Sequence, residues 1–198
     1  QVLHLVAISK ARTDFQHLHP RLDQASGTFK QQITFTLNGD YRLFATFSAS
    51  SVPVRQDETK LNTTVYKDFQ VGDISGYEPP QTLDINKSAA VSKGFIASFF
   101  FPPNDDSIGP TNTNFYAGHE SSVLITVDKE GQSVKNLESY HGSLGRLTVI
   151  GPELELLVVN AIATDANNQT GLLTFPITFP KGGFYKLYLE TQAEGQLA

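Results

Sequence analysis

The chain has no cysteine, no methionine and no tryptophan among its 198 residues. Without cysteine there is no disulfide, no thiol nucleophile and no thiolate metal site. The usual sequence clue to redox compartment goes with it. Without methionine there is no initiator residue, which fits a processed product or a fragment. Basic runs are also missing, which argues against nucleic acid as a partner, while a formal net charge of -5 with 18% charged residues is unremarkable. The longest apolar runs, such as residues 154–163, are far too short for a transmembrane segment. No stretch sustains a helical period, and no G-x-S-x-G, H-E-x-x-H or phosphate-cradling loop occurs. The reading is therefore of a non-enzymatic protein.

What the sequence does contain is a repeat. Residues 27–47 (GTFKQQITFTLNGDYRLFATF) match residues 171–191 (GLLTFPITFPKGGFYKLYLET) without a gap. Seven positions are identical: Gly27/Gly171, Ile33/Ile177, Thr34/Thr178, Phe35/Phe179, Gly39/Gly183, Tyr41/Tyr185 and Leu43/Leu187. Upstream, HLVAI (residues 4–8) lines up with RLTVI (146–150), and QHLHP (16–20) with LVVNA (157–161). The chain reads as two copies of one β unit.

Short alternating runs with turn signals between them indicate an all-β sandwich. Residues 3–9 and 15–19 flank a polar turn and read as a hairpin. Pairing His4 with His19 sets Val6 against His17 and Ile8 against Phe15, all six on one face. A slip of one residue separates His4 from the other two histidines. The same register in the second copy sets Arg146 against Asn160, Thr148 against Val158 and Ile150 against Leu156. Residues 28–36 and 41–47 read as antiparallel strands around Asn38-Gly39, a strong hairpin signal. Further strands are expected at 63–71, 94–101 and 120–128, loops at 49–61 and 104–114, and a linker at 72–80. The units fall at 1–75 and 81–198, the first incomplete on its N-terminal side.

Three histidines stand out. An H-x-H pair on a strand presents two imidazoles on one face, and His4 from the next strand adds a third. Such a set suits copper, zinc or nickel ions. The alternative is that His4, His17 and His19 are partly exposed polar residues of an edge hairpin. His141 lies in a Gly-rich turn, where a solvated side chain is expected, and His119 fits no pattern. Asp105 and Asp106 lack the ligand spacing of a calcium loop. Glu153 and Glu155 read as a solvated face at a strand edge. The repeated aromatics at Phe35, Phe179, Tyr41 and Tyr185 favour core packing over ligand stacking. Sequons begin at Asn62, Asn86 and Asn168, but about two are expected by chance, so they do not establish secretion.

At HLVAI, FQHLHP and GDYRLFATF the sequence resembles a family of bacterial secreted or periplasmic proteins with two copies of a β unit. Its pieces are an HLxVV-type strand, FQHLHP, and later YLGAxGHLVAL and YLHVHP. The later pieces stand here as SYHGSLGRLTVI and LLVVNA. The resemblance implies an extracytoplasmic location and heavy-metal, especially copper, handling. It carries over to His4, His17 and His19 only, because Arg146, Val158 and Asn160 stand where the family has histidines.

The expectation is an all-β protein of two immunoglobulin-like or cupredoxin-like sandwich units related by internal duplication. It binds copper or zinc through His4, His17 and His19. The alternative is a structural or adhesive subunit of an extracellular assembly, self-associating through open sheet edges. The second unit has strands ahead of its repeat and the first has none. Three explanations stand open: a fragment, strands shared between units, or an edge completed by another molecule.

Overall fold

Apolar residues at every second position, rich in valine, isoleucine and phenylalanine, favour strands over helices. The computed structural model describes residues 3–48, 62–73, 75, 89–100, 115–139, 142–161 and 171–197. Among them every helix or strand assignment is a strand, so the protein is all-β as its sequence implies. The chain divides into two compact units, Gln1–Leu83 and Asp84–Ala198. The loops expected at 49–61 and 104–114, Asp105, Asp106, His141, Asn86, Asn168 and most of the linker at 72–80 lie outside the described residues.

The first unit holds β1 (Leu3–Ser9), β2 (Phe15–Leu18), β3 (Arg21–Asp23), β4 (Thr28–Lys30), β5 (Gly39–Ser48) and β6 (Asn62–Val71). Four of them form an antiparallel sheet in the order β2-β1-β5-β6, and β3 and β4 pair separately. The expected hairpin is present in the expected register: Val6 faces His17 and Ile8 faces Phe15. Its turn is held by Ser9, whose Oγ accepts the N–H groups of Thr13 and Asp14 at 3.0 and 3.1 Å. A serine hydroxyl that bonds a few residues ahead is a common way to close a turn.

The second unit holds β7 (Ala89–Ser92), β8 (Phe95–Phe100), β9 (Glu120–Lys129), β10 (Gln132–Ser133), β11 (Gly145–Ile150), β12 (Leu156–Asn160), β13 (Leu172–Thr178), β14 (Lys186–Ala193) and β15 (Gln196–Leu197). One sheet runs β10-β9-β8-β7, with β13 also on β9; the other runs β12-β11-β14-β15. Val123, Ile125 and Val127 of β9, Leu147 and Val149 of β11, and Leu173, Phe175 and Ile177 of β13 build one buried core, giving a sandwich-like unit. Three tight hairpins have both central residues at positive φ: Lys93-Gly94, Glu130-Gly131 and Glu194-Gly195. That is the conformation whose twist matches paired strands. The second-copy register is also as expected, with Arg146 opposite Asn160, Thr148 opposite Val158 and Ile150 opposite Leu156.

Three expectations are overturned. Residues 28–36 and 41–47 do not form a hairpin. β5 pairs with β1 and β6, and in the second unit β13 pairs with β9 while β14 pairs with β11. The connection therefore leads from one layer to the next. It is held by a tyrosine rather than by Asn-Gly: Tyr41 Oη donates to the Leu37 carbonyl at 2.9 Å, and Tyr185 Oη to the Lys181 carbonyl at 2.8 Å. Such a bond back to the nearby backbone makes the corner in other sandwiches. Gly39 and Gly183 leave these corners at φ 141° and 144°, where a side chain is strained. The second correction is that the strand expected at 28–36 ends at Lys30, and residues 31–35 carry no strand assignment. The copies of residues 31–34 in β13 have β9 to pair with, and no counterpart of β9 occurs among the described residues of the first unit.

Glu153 and Glu155 are also not a strand face. They sit in the turn before β12, and Lys181 Nζ lies 2.7 Å from Glu153 Oε2 and 3.3 Å from Glu155 Oε1. Burial pushes the Glu155 carboxyl up, but backbone N–H groups and Lys181 outweigh that and hold it below the usual range.

Tyr41 also shares its hydroxyl proton with Asp14 Oδ2 at 2.6 Å, a bond that Tyr185 lacks among those described. Tyr41→Phe is expected to cost about 1.5–3 kcal/mol and Tyr185→Phe about 0.5–1.5 kcal/mol. Urea unfolding of the two variants, with unchanged m-values, checks the order.

Candidate metal centre

Register decides which side chains can meet. Across the first sheet, residues paired between neighbouring strands share a face and stand in rows. One row reads His17, Val6, Phe44, Tyr66; the next towards the turn reads Phe15, Ile8, Arg42, Asp68. His4 stands one row the other way, opposite Thr46. His19 follows Leu18, the last residue of β2, and is brought level with His4 by the same register. The three histidines thus gather at one corner of the sheet, with two of them on or beside its edge strand.

The three rings are half-buried and in mutual contact. Ring centroids are 5.3 Å apart for His4 and His17, 4.9 Å for His4 and His19, and 4.6 Å for His17 and His19. One ring nitrogen of each lies within 4.8 Å of the others, and this is the one group of three or more metal-ligating side chains among the described residues. His4 Nδ1 and His17 Nε2 are 3.2 Å apart, a hydrogen bond in which one nitrogen carries the proton and the other accepts it.

That spacing is the test of fit. Imidazole nitrogens about 2.0–2.1 Å from a tetrahedral ion lie about 3.3 Å from one another. The His4–His17 pair stands close to that separation, and His19 offers a ring nitrogen within 4.8 Å of both. The donor set is chemically suitable too, because neutral imidazole is a ligand for copper, zinc and nickel ions. The three residues named from the sequence can therefore hold a metal ion.

The surroundings were only partly legible in the sequence. Val6, Ile8 and Phe44, 4%, 0% and 3% exposed, lay an apolar floor beside the cluster. An apolar shell limits water access and strengthens electrostatic interactions within a site. Pro20, which follows His19, is buried and stops the strand there. Further along the same face, Arg42 makes a two-point bond to Asp68 at 2.6 and 2.9 Å and lies 4.1 Å over the Tyr66 ring. The Arg42 guanidinium holds the Asp68 carboxyl below the usual range. Arg42 is thereby occupied four residues along β5 from Thr46, the partner of His4. The Ser9 hydroxyl that closes the turn, and so supports the register, was not singled out. A serine at the end of a strand before a polar turn is the signal that could have found it. His119 stands in the turn before β9 with its ring 6.2 Å from Tyr116.

The equivalent hairpin of the second unit has the same pairing but Arg146, Val158 and Asn160 at the three places, and Arg146 Nε donates to Asn160 Oδ1 at 3.4 Å. The second copy keeps the positions, the pairing and part of the buried strand, with Leu147 and Ile150 at the places of Leu5 and Ile8, but none of the histidines. Arg146→His, Val158→His and Asn160→His together are therefore expected to create a second cluster. Metal stoichiometry of the triple variant, measured by equilibrium dialysis and elemental analysis, should rise from one ion to two.

Comparisons with curated proteins and with solved structures returned no match. The sequence does match a family described as a domain of unknown function (DUF8832), over residues 1–67 and 107–198. The first segment carries β1–β5 and all three clustered histidines, and the second carries β9–β15. These segments make up most of the chain, and the protein belongs to that family.

Proposed function

We propose that this is a non-enzymatic, extracytoplasmic β-sandwich protein that binds a transition metal through His4, His17 and His19. The observation that carries the reading is the approach of His4 Nδ1 to His17 Nε2 at 3.2 Å with His19 alongside. Copper is the favoured ion. An imidazole set with no geometric bias follows the general order of divalent affinities, in which Cu(II) stands above both Ni(II) and Zn(II). The resemblance at HLVAI and FQHLHP points to the same metal and to a location outside the cytoplasm. The three residues supply neutral nitrogen ligands, Val6 and Phe44 limit water beside them, and the hairpin fixes their spacing.

Calorimetric titration tests this. One equivalent of Cu(II) should bind more tightly than Zn(II), and the His17→Ala/His19→Ala variant should lose the site. No saturable binding at submillimolar concentration, or equal binding by the variant, rejects the proposal.

Protons compete with the ion for the same nitrogens, so affinity should fall as pH is lowered. Cu(II) titrations across a pH series, with the buffer's own copper affinity subtracted, measure that dependence.

A further inference from the structure

The strand that leads to two of the three histidines is held from behind, and by different forces in the two units. Side chains alternate along β2, so Phe15 and His17 stand on the side of the cluster and Gln16 and Leu18 on the other. On that other side, Gln16 Nε2 donates to the Thr34 carbonyl at 2.9 Å. Just ahead of β2, the Asp14 carboxylate accepts from Tyr41 Oη at 2.6 Å and from Thr36 Oγ1 at 3.3 Å. Tyr41 stands in a row with Ser9 and Phe69, on the same side as Ala7, the partner of Gln16. Residues 34–41 thus grip the chain at two points, Asp14 and Gln16, on the side turned away from the histidines.

The second unit lacks the Gln16 bond. By register, Asp14, Phe15 and Gln16 correspond to Glu155, Leu156 and Leu157. Glu155 is paired with Lys181, and Leu157 and Val159 pack against the buried core. Thr34 is kept as Thr178, but a leucine at 157 has no polar atom to offer its carbonyl. The two solutions differ in what they specify. Apolar burial is non-directional and tolerates small shifts along a strand. A hydrogen bond to one named carbonyl weakens steeply once distance or angle is lost.

That difference matters where ligands must be spaced. Among the described residues β2 is the edge of its sheet, laddered to β1 alone over four residues. His4 Nδ1 and His17 Nε2 meet at 3.2 Å across that ladder. Metal–ligand distances are held to about 0.2 Å, so a small displacement of β2 is felt at the centre. Gln16 is the residue immediately before His17, and its bond fixes the backbone there.

We propose that Gln16 is a positioning residue of the metal centre, holding β2 so that His17 and His19 keep their spacing to His4. The inference rests on the metal-binding reading above and names what sets the geometry of that site. Gln16 does not touch the ion. It acts through the backbone of His17, and its directional bond stands in the unit that has histidines to align.

The test is Gln16→Leu, which installs the residue of the second copy and suits the fold. Its urea midpoint should equal or exceed that of the wild type. Its Cu(II) affinity in calorimetric titration should fall by about fivefold or more, near the lower end of what outer partners of metal ligands contribute. The metal-free protein gives a second readout. In mildly alkaline buffer the imidazole nitrogen-15 spectrum of the wild type should show a fixed tautomer for the bonded His4–His17 pair, and that of the variant an averaged one. An unchanged ring spectrum in Gln16→Leu overturns the proposal. So does unchanged Cu(II) affinity, or an affinity loss matched by a fall in the urea midpoint, which would make the role merely structural. A wild type that takes up no ion rejects the metal-binding reading instead, and the ring spectra then decide whether Gln16 spaces the histidines.

Discussion

The pairing of Val6 with His17 is the contact on which the candidate centre depends. Side chains alternate across a strand, so this one register places His4, His17 and His19 on a common face and brings His19 level with His4. Moving either strand by one residue would turn part of the set to the opposite side. Nothing in an imidazole enforces that alignment. It comes from the buried parts of the hairpin, from Val6 and Ile8 beneath it, and from Ser9 closing its turn. The chemistry of the corner is thus set by apolar packing and a serine hydroxyl several residues away.

The hairpins at residues 3–18 and 145–160 were legible because each has one loop and a pattern that only one register satisfies. The strands at 62–71, 95–100 and 120–129 were legible for a similar reason, since β-branched and aromatic residues recur there between turn signals. Asn38-Gly39 misled because sequence names a turn but not the strand that the chain meets after it. The tyrosine bond that makes the corner joins residues four apart and leaves no mark on hydrophobic periodicity. Residues 31–35 misled for a different reason. Their alternation is real, but a strand exists only where a neighbour completes the ladder, and that neighbour is a property of the tertiary structure. At the centre itself, the three ligands were visible as a pattern, whereas the apolar floor contributed by Phe44 needed the pairing of β1 with β5 to be known.

The two copies also separate what the backbone requires from what the surface adds. Arg12 and Leu154, at equivalent places in the two hairpin turns, both have positive φ, 59° and 60°, although the residues are unrelated. Their N–H groups bond the carbonyls of Ser9 and Gly151, three residues back. This local bend therefore survives exchange of its side chains, although the second loop is one residue shorter. Gly27/Gly171, Gly39/Gly183 and Tyr41/Tyr185 did not exchange, and each has a conformation or a bond that few other residues could supply. The histidines belong to neither group. The hairpin of the second unit keeps its pairing without them, so folding does not explain their presence in the first.

All three histidines lie within sixteen consecutive residues, from His4 to His19. A segment that short closes on itself at little entropic expense even when the rest of the chain is unfolded. An ion held there would remain partly chelated by the denatured chain, and what the denatured chain also binds adds less to folding stability than its affinity for the native state suggests. Capture of the ion and completion of the fold are in that sense separable. A nascent or refolding chain could take up metal before its sheet is assembled, and the hairpin would then be pulled into register by its cargo.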